Sequence, residues 1–197
     1  MIGGLDMHRR ILSFKQDLVD LQPLDVIRKN IIYGHPAAIA DPAYFALRST
    51  VAAKYEIHPN EVLVVGSAKL GFSIAPSKRY RPFCDESDID VVIVSDSLFS
   101  RIWRAVHDYE NHGGYWERGR EFKDYLFQGW IRPDKLPPSH SFEFGNDWWE
   151  FFNALSSSGD YSSVKIRGAL YKDWYFLEAY QMRAVSGCAD EIGKEKK

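Results

Sequence analysis

This chain of 197 residues has few cysteines, no long apolar run and little excess of charge of either sign. Its two cysteines, Cys84 and Cys188, have no metal-ligand spacing, which argues against a disulfide framework and against a thiolate-bound metal. No apolar run approaches the roughly 20 residues that cross a bilayer, and charged side chains interrupt residues 1–21, unlike those of a signal peptide. We therefore expect a soluble, cytoplasmic protein without a membrane partner.

The charge balance limits the partners that the chain can have. The formal net charge is −2, which weighs against a strongly basic nucleic-acid surface, although a local basic patch leaves nucleic acid an open partner. The six histidines are scattered without metal spacing, and no Gly-x-Ser-x-Gly motif indicates a serine nucleophile. Serine hydrolases and histidine-bound metal sites are therefore not expected.

Aromatic residues are abundant, at 15% of the chain. Most of them fall in predicted helices, which favours packing in the core because each of these side chains buries a large apolar area. Two dense runs, residues 148–152 and 174–177, leave a protein partner bound through these helices as an alternative, since aromatics are favoured at interfaces. A platform on which nucleobases stack is a third interpretation.

Hydrophobic periodicity divides the chain into helices around a few apolar strands. The pattern predicts an α/β (α+β) fold, in which a small mixed sheet is flanked by N-terminal and C-terminal helices. We expect a single domain over residues 1–190, with a helical segment of about residues 1–57 packed on the sheet, and a disordered tail over residues 191–197. The predicted helices cover residues 8–21, 24–33, 41–55, 98–109, 117–130, 147–155 and 174–185, and the predicted strands cover residues 62–65, 88–94 and 162–167.

The third predicted helix has a clear start signal. Asp41 offers an acceptor side chain for the cap, and Pro42 suits the first helical position. Apolar residues farther along the segment predict its inner face. They are Phe45, Leu47, Val51 and Ala52.

Two aspartates open the strand predicted over residues 88–94. Alternate residues of a strand point to the same side, so the carboxylates of Asp88 and Asp90 project together. Neighbouring carboxylates repel each other unless a cation lies between them, and oxygen ligands suit Mg²⁺ or Mn²⁺. An isolated Asp-x-Asp pair is more often a turn cap beside a solvated acid, so its interpretation as a metal site depends on a second feature.

That second feature is Gly66-Ser67, which directly follows the apolar run of residues 62–65. A glycine at this position lets a phosphate approach the backbone, and the start of the next helix offers N–H groups and the Ser67 hydroxyl as donors. Lys69, in the same predicted helix, is a further candidate for nucleotide binding. The combination of strand, Gly-Ser, helix and a strand beginning Asp-x-Asp is uncommon, and it predicts a site for a nucleoside triphosphate and its metal.

Residues 65–73 (VGSAKLGFS) and 87–93 (SDIDVVI) resemble the DNA polymerase β-type nucleotidyltransferase superfamily, in the form seen in minimal bacterial members and cyclic-oligonucleotide synthases. The resemblance implies transfer of a nucleoside monophosphate from an NTP to a protein, RNA or nucleotide acceptor, with release of pyrophosphate. It implies that Gly66 and Ser67 hold the phosphates. It further implies that Asp88 and Asp90 are the catalytic metal ligands, with Mg²⁺ or Mn²⁺ as cofactor.

The sequence departs from compact members of that superfamily in the gap between Ser67 and Asp88, which is longer. The extra residues carry Lys78, Arg79 and Arg81. Short runs of charge are usually solvated, so we expect an exposed loop here. Contact between this loop and a phosphate or an acidic partner is the alternative.

A second departure concerns the third acid that active members carry on a later strand, next to the first two. The last predicted strand offers Lys165 and Arg167 instead, whereas Glu143, between two phenylalanines, is a candidate on a short strand of its own. Asp160 and Asp173 fit turns or caps. A cation beside the acid pair favours nucleotide binding over turnover. The alternative to an enzyme is therefore a catalytically degenerate protein of the same fold, acting as a nucleotide sensor or partner subunit.

Overall fold

The computed structural model describes residues 4–138, 142–158, 161 and 164–195. Within them, a four-stranded sheet lies between two layers of helices. None of the helices in these ranges is long and apolar enough to span a membrane. The helices are α1 (Gly4–Asp20), α2 (Pro23–Ile27), α3 (Asp41–Tyr55), α4 (Gly66–Leu70), α5 (Asp96–Asn111), α6 (Gly119–Phe127), α7 (Glu143–Ser157) and α8 (Trp174–Glu195), and the strands are β1 (Val62–Val65), β2 (Ile89–Val94), β3 (Trp130–Ile131) and β4 (Ile166–Tyr171).

The sheet is mixed and has the strand order β1-β2-β4-β3. Strand β2 runs antiparallel to β1 and parallel to β4, and β3 runs antiparallel to β4. Every residue of β1 is buried, and so is every residue of β2 except Asp90, as expected for apolar runs covered on both faces. The fold class predicted from the sequence is confirmed.

The two faces of the sheet pack against different helices. Val91 and Ile93 belong to a core shared with α3, α5, α6 and α7. Val92 and Val94 belong to a second core shared with α1, α2 and α8. Because side chains alternate along a strand, Asp90 lies on the second face. The N-terminal helices therefore contribute to both layers, α1 and α2 to one and α3 to the other.

Helix α3 covers the predicted residues, but Asp41 is its first residue rather than its cap: the cap is Ala40, and among the described residues no side-chain hydrogen bond caps the helix. Its inner face is also only partly as expected. Leu47, Val51 and Ala52 are buried, whereas Phe45 is 73% exposed. Two residues along an α-helix correspond to about 200° of rotation, so Phe45 points away from the side on which Leu47 lies. The assignment of Phe45 to the inner face is wrong.

Trp130 lies in a strand rather than at the end of the helix predicted over residues 117–130. Helix α6 ends at Phe127, and Gly129 then adopts a φ of +63°, which few residues other than glycine tolerate. The chain turns there, and Trp130 pairs with Tyr171 of β4. Sheet pairing therefore prevails over the helical periodicity of this segment.

The C-terminal elements are also displaced from their predicted bounds. Strand β4 begins at Ile166, whereas the predicted strand began at Ser162; Ser162 and Ser163 lie outside the described residues. Helix α8 continues to Glu195, so residues 191–195 are helical where a tail was expected. Residues 196 and 197 lie outside the described part of the chain.

The aromatic runs divide between core and surface. Trp148 and Phe152 are buried on α7, where they meet the sheet. Trp149 and Trp174 are 44% and 42% exposed, and Tyr175 is 72% exposed. Core packing thus accounts for only part of these runs.

Replacing Gly168 by alanine tests the packing of α7 on β4. A Cβ at position 168 would lie 2.3 Å from Phe152 Cζ and 2.6 Å from Trp148 Cζ2, and both rings are buried too tightly to move aside. We expect Gly168→Ala to lower the free energy of unfolding by about 1–3 kcal/mol, the usual effect of overpacking, in denaturant titrations.

Gly193 is the matched control, because a Cβ there would meet nothing within 4 Å. Gly193→Ala should be neutral or stabilising by up to about 1 kcal/mol, since alanine favours a helix. If Gly168→Ala were as stable as the wild type, the close contact between α7 and β4 would be disproved.

Candidate functional site at the start of strand β2

Asp90 lies directly against the backbone that connects β1 to α4. The antiparallel register pairs it with Val65, so Gly66 follows next to the carboxylate. A Cβ on Gly66 would lie only 2.7 Å from Asp90 Oδ2, and Gly66 has a φ of +66°. Glycine is required at this position both for the backbone conformation and for the space that the carboxylate takes. The two sequence features that predicted the site are thus in contact.

Arg167 occupies the neighbouring strand beside the acid pair. The parallel register of β2 and β4 places it opposite Asp90, and its Nε atom lies 2.8 Å from Asp88 Oδ2. The guanidinium is 57% exposed and the Asp88 carboxylate 34% exposed, so solvent screens part of their attraction. The group next to the two carboxylates on the adjacent strand is therefore a cation.

The environment of Asp90 favours its neutral form. Burial and, to a smaller extent, the charge of Asp88 raise the pKa of Asp90 to about 6, against the opposing charge of Arg167. At neutral pH, the carboxylate is mostly ionised but poorly compensated by the protein. Such a group is suited to receiving a cation, because an additional positive charge would relieve both the burial and the repulsion.

A cleft of about 420 Å³ opens in front of the acid pair. Ser67, the predicted phosphate ligand, lines it. The loop between α4 and β2 contributes Lys78 and Arg81, for which the sequence leaves contact with a phosphate as the alternative to a solvated loop, and further polar groups that the sequence did not assign to the site. Besides Asp88 and Asp90, the lining includes Ser67, Ser73, Ser77, Lys78, Arg81 and Glu86.

Lys69 does not line this cleft. Its ammonium is buried, with the residue only 4% exposed, and donates to the backbone carbonyls of Tyr33, at 2.6 Å, and Gly34. Burial lowers the pKa of Lys69 to about 8. Helix α4 has only five residues, and the turn from Ser67 to Lys69 directs the lysine toward the N-terminal segment. Its position therefore fits a structural contact rather than the nucleotide binding proposed from the sequence.

Glu143 does not join the acid pair either. It is the first residue of α7 rather than part of a strand, and its side chain is exposed. Helix α7 packs through Trp148 on the face of the sheet opposite to Asp90. Asp173 Oδ1 accepts from the Phe176 backbone N–H at the start of α8, as expected of a cap.

A third acidic ligand is not found elsewhere in the described ranges. Among these residues, no group of three or more His, Cys, Asp or Glu side chains is placed to hold a metal ion. Asp160 lies outside the described residues. Lys165, the other cation considered from the sequence, is exposed just before β4, and its carbonyl accepts from the Ile89 N–H.

Replacing Asp90 by asparagine tests the electrostatic cost of the site. Because the pKa of Asp90 is higher in the folded than in the unfolded chain, its ionised form destabilises the fold above about pH 6, and this penalty vanishes as the pH falls toward 4. In buffer that contains a metal chelator, Asp90→Asn should raise the free energy of unfolding by about 1–3 kcal/mol at pH 7.5. At pH 4 the same substitution should change it only slightly.

The control for this experiment is Asp124→Asn on the exposed surface of α6, which should change stability by less than about 0.5 kcal/mol at either pH. Denaturant titrations at both pH values measure the difference. A loss of stability in Asp90→Asn at pH 7.5 would show that the carboxylate is compensated by interactions stronger than its burial.

Comparisons with protein-family models, curated proteins and solved structures found no match to this chain. The site is accordingly interpreted from its own residues. Its defining contacts are Asp90 against Gly66 and Asp88 against Arg167.

Proposed function

We propose that this protein binds a nucleoside di- or triphosphate together with Mg²⁺ in a nucleotidyltransferase-type site that has lost turnover. The observation that carries the proposal is the position of Arg167, opposite Asp90 in the β2–β4 register and 2.8 Å from Asp88 Oδ2. In active members of the superfamily that the sequence resembles, this neighbourhood holds a third acid. A sensor or partner subunit that responds to nucleotide is the corresponding role.

The two carboxylates fit one hard cation. Asp88 and Asp90 offer oxygen ligands on one side of β2, and Mg²⁺ commonly takes one or two protein carboxylates and completes its shell with phosphate oxygens and water. Bound there, the ion would neutralise phosphate charge. The raised pKa of Asp90 supports this role, because a cation would stabilise the ionised form that burial disfavours.

Arg167 opposes the chemistry of transfer in two ways. A guanidinium cannot act as a base toward an attacking hydroxyl, because it stays protonated at any ordinary pH. Its positive charge also repels a second cation from the acid pair, and two-metal transfer depends on such a cation. The same charge attracts a phosphate, so the substitution of a cation for an acid favours binding.

Nucleotidyl transfer with Mg²⁺ or Mn²⁺ to a protein, RNA or nucleotide acceptor is the second candidate. It is favoured by the close fit of Asp90 against Gly66, which keeps the carboxylates and the phosphate-binding turn together as catalysis requires. The partly exposed Trp149, Trp174 and Tyr175 provide surface for a protein partner, which either function could use.

Calorimetric titration with ATP and GTP in the presence of Mg²⁺ tests nucleotide binding. We expect saturable binding that weakens at least about tenfold in the double variant Asp88→Asn, Asp90→Asn, because the metal and its bound phosphates lose their ligands. Asp124→Asn should bind as the wild type does. Absence of binding to either nucleotide would refute the proposal and leave a protein interaction module.

Incubation with α-labelled NTPs, Mg²⁺ or Mn²⁺, and candidate acceptors tests turnover. We expect no labelled product and no pyrophosphate from the wild type. Product that disappears in the Asp88→Asn, Asp90→Asn variant would instead establish the enzyme.

Replacing Arg167 by alanine tests how the internal cation shares the site with the metal. Without the guanidinium, less positive charge balances the two carboxylates, so Mg²⁺ should increase the affinity for ATP by a larger factor than in the wild type. For one lost charge contact, we expect that factor to be about ten times larger. Arg104→Ala, an exposed arginine on α5, is the control. An unchanged dependence on Mg²⁺ would show that Arg167 does not act on the site.

A further inference from the structure

Backbone contacts join the two halves of the loop between α4 and β2. Phe72 forms a β-bridge with Pro82, the Ser73 N–H donates to the Arg81 carbonyl at 2.9 Å, and the Tyr80 N–H donates to the Ser73 carbonyl at 2.7 Å. A short 3₁₀ turn, Pro76–Lys78, closes the tip. We call residues 73–82 the basic arm.

One side of the basic arm is fixed to the N-terminal and C-terminal helices. Arg79 is paired with Glu191 of α8, and its side chain is only 13% exposed. Cys188 Sγ of α8 donates to the Ile74 carbonyl at 3.8 Å. Lys15 of α1 lies 4.5 Å above the ring of Tyr80. These contacts position the arm from behind.

The other side of the basic arm faces the cleft. Lys78 and Arg81 line the cavity, together with the hydroxyl-bearing Ser73 and Ser77. Arg79 therefore anchors the arm to α8, whereas Lys78 and Arg81 line the cavity.

Two of the acids that line the cleft are paired with arginines, and Lys78 is paired with neither of them. Asp88 is paired with Arg167, and Glu86 Oε2 accepts from Arg81 Nη2 at 2.8 Å. Lys78 forms no ion pair with any residue that the structure describes. Lys78 is exposed, lines the cavity of about 420 Å³ and has no ion-pair partner among the described residues, so its ammonium is available to an anionic ligand.

We infer that the basic arm binds the terminal phosphates of the ligand through Lys78, with Ser77 as a supporting donor, so that the site selects di- and triphosphates over monophosphates. This inference rests on the proposed nucleotide-binding function and names the residues that set its ligand class. Ser67, Asp88 and Asp90 line the same cleft as the arm residues Ser77 and Lys78. A ligand with one phosphate held at the acid pair leaves the arm without a contact.

Competition calorimetry with AMP, ATP and inorganic tripolyphosphate in the presence of Mg²⁺ tests the arm. Lys78→Ala should weaken binding of ATP and tripolyphosphate by about 10- to 100-fold, as expected for the loss of one charge-assisted hydrogen bond, and change AMP binding by less than about twofold. Lys78→Arg should retain most of the affinity. Lys194→Ala, an exposed lysine near the end of α8, should bind like the wild type.

The outcomes separate the arm from the nucleotide site itself. Suppose that the wild type binds ATP. If Lys78→Ala then binds ATP equally well, or if its affinities for AMP and ATP fall by the same factor, the arm does not select for the number of phosphates, although the proposed function stands. If the wild type binds neither ATP nor tripolyphosphate, both are overturned. Equal thermal unfolding of Lys78→Ala and the wild type establishes that any lost affinity is not a loss of fold.

Discussion

The parallel pairing of β2 with β4 determines which charge meets the two carboxylates at the start of β2. Burial and the charge of Asp88 disfavour the ionised form of Asp90, and Arg167 is the group, among the described residues, whose charge opposes this effect. Groups that destabilise a fold tend to be kept where they serve a function. The charge imbalance at this point is thus the strongest physical indication that the site receives something from outside the chain.

The rest of the fold keeps these groups in place. Both faces of β2 are covered, so the strand is fixed along its apolar length and only its first residues reach the cleft. Gly66 brings the backbone between β1 and α4 against Asp90, and residues of the basic arm line the same cleft. Because the arm is attached to α1 and α8, helices distant in sequence determine where its lysine points.

Much of this arrangement is predictable from the sequence, because it depends on local signals. The apolar runs that became β1 and β2, the glycine after the first and the two acids before the second are each visible within a few residues, and the fold class follows from them together with the helical periodicity. What depends on pairing between distant segments is not predictable in this way. That Arg167 lies beside Asp90 follows only from the strand order, and Trp130 joins the sheet only because the chain turns at Gly129 and pairs with β4. The exposure of Phe45 is a different case, since it depends on a rotation about the helix axis that an average hydrophobic pattern does not resolve.

Lys69 is predicted to bind nucleotide from its place after Gly66-Ser67, but its side chain points to the N-terminal segment, and this joins two distant parts of the fold. Its buried ammonium is satisfied by the carbonyls of Tyr33 and Gly34, and the Ala37 and Ala38 N–H groups donate back to the carbonyls of Lys69 and Ala68. A chain without this segment would lose both carbonyl acceptors of the Lys69 ammonium. The segment of residues 33–38 and helix α4 therefore stabilise each other, and the position of the Gly66-Ser67 turn depends on a part of the chain about thirty residues before it.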